Sequence, residues 1–224
     1  YGAQQFSDPD SPTGAQTILV YDLGGGTFDV SIVNIDGCEF VTLATDGDVQ
    51  LGGIDWDHRI VDLIAKQFIA EHGSDPRDDP NTLGRIWRDA QDAKHTLTAR
   101  QECTLACDYQ GNAISFTLTR DEFTTITSDL VERTRFTTIQ TLAAAQLEWN
   151  AIDRILLVGG STRMPAINDM LTQLGNRPLD QSVSPDEAVA HGAALHAAIC
   201  LSELAGEPAR FAVKNVNSHS LGVI

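Results

Sequence analysis

The chain has 224 residues, 42% of them apolar and 21% charged, the balance of a soluble globular protein with length for one large domain or two small ones. Its formal net charge of −16, from 31 acidic and 15 basic residues, argues against a nucleic-acid partner or an anionic membrane surface, since both need clustered Lys and Arg. No apolar stretch approaches the length of a membrane span, the start lacks a signal peptide's basic and apolar regions, and four scattered cysteines (Cys38, Cys103, Cys107, Cys200) are too few for a disulfide framework, which points to a cytoplasmic protein with no membrane partner.

Residues 1–16 are rich in Gly, Pro, Ser, Asp and Gln and read as a flexible N-terminal loop. Three strands are predicted next, over 17–23, 27–35 and 39–47. Phe28, Val30 and Ile32 alternate with Asp29 and Ser31, and the Asp36-Gly37 pair separates the second run from the third, so the three form an antiparallel meander. After Gly52-Gly53 a helix carries Ile60, Leu63, Ile64 and Phe68 on one stripe and ends at a loop over 73–82. A second helix is expected over 83–99, then a hairpin turning at Gly111-Asn112. Thr119 and Glu122 form a capping box opening a long helix through about 146. The apolar run RILLVGG (154–160) reads as a strand covered on both faces. Two helices close the set, one from Pro165 and one from Ser184-Pro185-Asp186-Glu187, with Ser as cap, Pro at the first position and Glu at the third. The order is that of an α/β sheet, over 17–52 plus 130–205, carrying an inserted α+β unit over 53–129. Tyr1 at the start and the strand-like SHSLGVI at the end read as a piece of a longer protein.

The run DLGGGT raises a chemical question, because glycine weakens a strand end unless bare backbone is needed there. Consecutive glycines can offer backbone N–H groups to a phosphate in a concave nest. A P-loop or Rossmann loop would lead into a helix, whereas TFDVSIVNI alternates as a strand, so the expected element is a phosphate-clasping hairpin turn; a plain Gly-rich hairpin is the competing reading. Asp22 and Asp29 beside a phosphate imply an intervening cation, Mg²⁺ with its waters or K⁺. In LLVGGSTRMP, Gly159-Gly160 ends a strand, Ser161 or Thr162 can cap the next helix, and Arg163 offers a planar cation for stacking on a base. Gln91, Lys94, His95 and Thr98 share one helical stripe, either a solvated face or a grip for ribose hydroxyls and an adenine edge. Asp186 lies in a first helical turn, where the macrodipole alone accounts for an acid. No Ser–His–Asp or Cys–His arrangement in the pattern supports nucleophilic catalysis.

Taken in this order, YDLGGGTFDVSI, LATDGDVQLGGIDWDHRIVDLI, ILLVGGSTRMPAI and SPDEAVAHGAALHAAI resemble the seventy-kilodalton heat-shock chaperones of the DnaK type, within the actin and sugar-kinase superfamily. The resemblance implies an actin-like ATPase (ribonuclease H-like) lobe, with subdomain IIA at 17–52 and 130–205, subdomain IIB at 53–129, and an interdomain linker with the start of a substrate-binding domain at 206–224. It implies that Gly24, Gly25, Gly26 and Thr27 meet ATP or ADP phosphates. Asp22 and Asp29 would hold Mg²⁺ waters and K⁺; Gly159, Gly160, Ser161 and Arg163 would take adenosine. Lys94 and Thr98 match ribose and adenine contacts, and Asp186 an acid near the cleft. Gln91 stands where the family usually has Glu, His95 where some members have Arg, Ile54 where Glu is usual, and RFAVKNV replaces a strongly apolar linker.

The family's first phosphate loop and catalytic lysine belong to the other lobe, so this lobe alone is expected to hydrolyse ATP negligibly and to contain no catalytic residue of its own. For the parent, the resemblance implies an ATPase that controls binding of unfolded polypeptides, helped by a J-domain protein and a GrpE-like exchange factor. A nucleotide-binding regulator without turnover and an actin-like filament protein are the alternatives.

Overall fold

A computed structural model describes residues 14–180, 184–185, 187–206 and 211–216. The three N-terminal strands form the expected meander: β1 (Gln16–Leu23), β2 (Phe28–Asp36) and β3 (Glu39–Asp48) pair antiparallel in succession. The apolar run near 154 becomes β6 (Arg154–Val158), parallel to β1, once the hairpin strands β4 (Glu102–Tyr109) and β5 (Asn112–Thr119) are counted. Two short parallel strands, β7 (Leu179–Asp180) beside β6 and β8 (Ala212–Lys214) beside β3, complete a sheet in the order β7-β6-β1-β2-β3-β8. β8 lies inside the segment expected as a linker. The hairpin β4-β5 is a separate two-stranded sheet.

Strand alternation divides the core between two sheet faces. Leu19, Tyr21, Leu23, Phe28, Val30, Ile32, Ile155 and Leu157 belong to the main cluster, whereas Ile18, Ile35, Phe40, Leu156 and Val158 belong to a smaller one on the other face. β6 feeds both clusters, as its unbroken apolar sequence requires. The main cluster runs on through Trp56, Ile60, Phe68, Ile86 and Leu97 into the hairpin residues Leu105, Ile114 and Leu118. Those residues come from α1 (Gly53–His72) and α2 (Pro80–Ala99), which pack on each other and on the hairpin, with α3 (Arg120–Ile126) following it. On the large sheet, α4 (Ser128–Ala144) covers β2 and β3 and meets α5 (Pro165–Gly175).

Several boundaries differ from the sequence reading, each for a local reason. α2 starts at Pro80 instead of 83, because Asp79 caps it by accepting from the Thr82 amide at 2.8 Å and proline suits the first helical position. The hairpin turns at Gln110-Gly111, both with positive φ (51° and 79°), one residue before the expected pair. The capping box at Thr119 and Glu122 forms as expected. The long helix it opens is broken at Thr127, whose backbone leaves the helical region (φ −115°, ψ 7°) while its hydroxyl donates to the Phe123 carbonyl at 2.8 Å.

The last helix, α6, spans Ala188–Ala205 and so begins after the expected Ser184 cap; the Ser184 carbonyl accepts instead from the amides of Glu187 and Ala188. α6 also corrects the reading of membrane spans: with a mean hydropathy of 1.3 over 18 residues, it is long and apolar enough to cross one by length and composition. Interleaved His191, His196 and Glu203 hide this in the sequence. Ala188 is its one buried residue among those described.

α4 buries threonines and exposes apolar residues, with Phe136 61% exposed. Thr134, Thr138 and Thr141 donate their hydroxyls to the carbonyls of Val131, Thr134 and Thr137 at 2.7–2.8 Å, so each is buried with its polar atom satisfied. Thr138→Val is therefore expected to change stability by no more than about 1 kcal/mol, whereas Leu157→Ala, which empties a site 1% exposed, is expected to cost about 2–5 kcal/mol. Chemical denaturation of both variants checks this pair.

Candidate functional site

The turn between β1 and β2 closes by a bond from the Gly24 amide to the Thr27 carbonyl at 3.0 Å. Its carbonyls then point into the protein. Gly24 accepts from the Gly53 amide at 3.0 Å and from the Ser161 hydroxyl at 2.9 Å, and Gly25 accepts from the Ile54 amide at 2.9 Å. The first free amides of α1 are thus taken up by the turn, helped by a reciprocal pair in which Gly52 donates to the Asp55 carboxylate and Asp55 to the Gly52 carbonyl. The amides of Gly25, Gly26 and Thr27 donate to no protein acceptor among the described residues.

A Cβ built on Gly25 or Gly26 meets nothing within 4 Å, and neither residue has positive φ. Neither the turn's conformation nor its packing therefore demands glycine at these two positions. The supporting glycines behave oppositely. A Cβ on Gly52 would lie 2.4 Å from Gly26 Cα, one on Gly53 2.4 Å from Ser161 Oγ, and one on Gly159, at φ 84°, 2.3 Å from the Leu23 carbonyl oxygen.

Beside the turn lies an open cavity of about 470 Å³ that brings together Gln91, Lys94, His95, Thr98, Gly160, Ser161 and Arg163 with Gly25, and adds Met164. The helical stripe on α2 is therefore one wall and the Gly160–Arg163 segment the other. Gly159 buttresses the floor, its amide donating to the Pro185 carbonyl at 3.1 Å. Gln91, His95 and Arg163 are exposed and Thr98 is half-buried, while Lys94 is buried. The Thr98 hydroxyl donates to the His95 carbonyl at 2.7 Å, which leaves it acceptor capacity only. Neither Ser161 nor Thr162 caps the following helix: Ser161 serves Gly24, Thr162 donates to the Gly159 carbonyl at 2.6 Å, and α5 starts with a proline at its first position and no side-chain cap.

Asp22 and Asp29 stand directly opposite each other on β1 and β2, outside the lining of this cavity. Burial raises the Asp22 pKa above the usual carboxylate range, and the Asp29 charge raises it further. Gly47 on β3 makes room for β2, since a Cβ there would lie 2.6 Å from the Phe28 carbonyl oxygen and 2.8 Å from Asp29 Oδ1. Among the described residues no group of three or more His, Cys, Asp or Glu is placed to hold a metal ion directly. Asp186 lies outside the described residues.

A sequence model of a known family, Hsp70 protein, matches residues 1–224. The chain belongs to the Hsp70 family. It is 44% identical over 214 residues to the chaperone protein DnaK of Halobacterium salinarum, covering 93% of this chain and 33% of that protein. It is 40% identical over 215 residues to DnaK of Metamycoplasma hominis (93% and 36%) and 42% identical over 198 residues to DnaK of Deinococcus deserti (83% and 31%). The chain thus spans about a third of the length of the curated relatives it matches. The sheet and its helices have the actin-like ATPase architecture of Hsp70, and the chain is a stretch of the nucleotide-binding domain of a DnaK-type chaperone.

Three further Hsp70 residues shape the site without a sequence signal that singles them out. Asp57 on α1 accepts from Lys94 Nζ at 2.8 Å, and the same ammonium donates to the Gly53 carbonyl at 2.8 Å. Arg120 closes the end of α2, donating to the carbonyls of Leu97, Thr98 and Arg100 at 2.7, 3.3 and 2.8 Å. Gly47 supplies the space for Asp29. Pairing each with its partner needs the fold, since they meet across 18 to 41 residues of chain. The glycine geometry makes a sharp contrast. Gly52→Ala is expected to cost about 1–3 kcal/mol through its clash with Gly26, whereas Gly25→Ala is expected to leave stability unchanged or raise it by at most about 1 kcal/mol; thermal unfolding of the two variants reads the difference.

Proposed function

We propose that this chain is the second lobe of the ATPase domain of a DnaK-type chaperone and that ATP or ADP lies along it. In this reading the phosphates rest on the amides of Gly25, Gly26 and Thr27, with Gly24 shaping the turn from behind. The nucleoside fills the cavity between Gln91, Lys94, His95 and Thr98 on one side and Gly159, Gly160, Ser161 and Arg163 on the other. The observation that carries the reading is the turn itself: amides without protein acceptors and two glycines with open space in front of them, at one end of a cavity of nucleoside size.

Asp22 and Asp29 fit a cation. Two carboxylates facing each other across adjacent strands repel, and burial raises the Asp22 pKa further. Mg²⁺ through its waters, or K⁺, would neutralise both acids and the nearby phosphate charge. Asp186 is the further cleft acid of this proposal. Catalysis of phosphoryl transfer needs donors on both sides of the transferring group, so turnover belongs to the two-lobed parent and this lobe alone is inactive. Residues 53–129 act as subdomain IIB on a base of 17–52 and 130–205, and 206–224 lead toward a substrate-binding domain for unfolded polypeptides. A J-domain protein and a GrpE-like exchange factor are the proposed co-chaperones, and the cytoplasm the compartment.

ATP turnover by the full-length protein, with and without an unfolded peptide and a J-domain protein, tests this. Stimulated turnover is expected, reduced at least about tenfold in Asp29→Ala and absent from the isolated lobe. Tight ATP binding with no turnover under any condition would overturn the ATPase reading and leave a nucleotide-binding regulator.

A further inference from the structure

Lys94 is the buried cation of the cavity wall, and the protein itself occupies most of its hydrogen-bonding capacity. Its side chain and that of Asp57 are each 9% exposed. One ammonium proton goes to Asp57 Oδ2 and one to the Gly53 carbonyl, both at 2.8 Å, which leaves one donor for the cavity that Lys94 lines. Gly53 donates in turn to Gly24, so the ammonium is two hydrogen bonds away from the turn.

The pair is a poor device for stability alone. A buried ion pair is weak support for a fold compared with apolar residues of the same volume, and Asp57 Oδ1 is buried with no hydrogen-bond partner among the described residues. A lysine without this anchor would extend its flexible stem into open solvent. We infer that Asp57 is a positioning residue: it holds the Lys94 ammonium against Gly53, so that its remaining donor meets a sugar hydroxyl of the nucleotide at a fixed distance from the phosphate turn. Asp57 touches no ligand and acts through Lys94 alone. The inference rests on the nucleotide reading above and adds to it the residue that sets recognition of the sugar.

The test compares ADP with 2′,3′-dideoxy-ADP by titration calorimetry on the full-length protein. The unaltered protein prefers ADP. Asp57→Asn loses about tenfold in ADP affinity, the scale of a charge-assisted hydrogen bond, and little for the dideoxy analogue, so the preference collapses. Lys94→Gln does the same, and adding Asp57→Asn to Lys94→Gln changes nothing further. Asp57→Glu, which keeps the charge and shifts the ammonium, falls between. Equal weakening of both ligands by Asp57→Asn, or an undiminished preference, overturns the inference in favour of a purely structural pair. Should Asp57→Asn fail to unfold cooperatively, Asp57→Glu decides: a reduced preference supports the role and a full one overturns it. Absence of ADP binding by the unaltered protein overturns the nucleotide reading and this inference with it.

Discussion

The site depends on one carbonyl group. The Gly24 oxygen accepts from the Gly53 amide and the Ser161 hydroxyl, and so ties the β1-β2 turn to the start of α1 and to the segment after β6. These three pieces lie far apart in the chain and converge only because close contact is possible at Gly52, Gly53 and Gly159, where a side chain would collide with backbone or with Ser161. The consequence is an inversion of a familiar arrangement. In a P-loop, the helix N-terminus itself faces the phosphate. Here α1 spends its first amides on the turn's carbonyls, and the turn's own amides are the ones left on the open side.

The acids next to that turn run against folding. Asp22 and Asp29 face each other across paired strands, and burial raises the Asp22 pKa before the Asp29 charge adds to it. Real chains break a local rule of this kind where function requires it. Gly47 on the neighbouring strand leaves room both for the Phe28 carbonyl and for the Asp29 carboxylate. The buried Lys94–Asp57 pair belongs with them as polar chemistry placed where an apolar pair would serve stability better.

Much of this was legible in the sequence, for identifiable reasons. Alternation marked the meander, and an unbroken apolar run marked β6 as a strand buried on both faces. Helical spacing put Gln91, Lys94, His95 and Thr98 on one wall, and the three glycines marked the turn. What was not legible comes from two sources. Asp79 and Pro80 read as loop residues although, as cap and first position, they begin a helix, and the break at Thr127 leaves no mark in the apolar spacing on either side of it. The second source is distance along the chain: Asp57 and Lys94 are 37 residues apart, and nothing in either helix's own pattern pairs them. Ser161 looked like a helix cap because its service to Gly24 exists only in three dimensions.

The central claim is that the turn's inward carbonyls and outward amides form a ready phosphate seat beside a nucleoside cavity. A crystal structure of the protein with Mg·ADP tests it most directly. The account predicts phosphate oxygens within hydrogen-bond distance of the Gly25 and Gly26 amides, the nucleoside between α2 and Arg163, and the Gly24–Gly53 and Gly24–Ser161 bonds intact. ADP bound elsewhere, or bound only after those two bonds have broken and the turn has rebuilt, would contradict it.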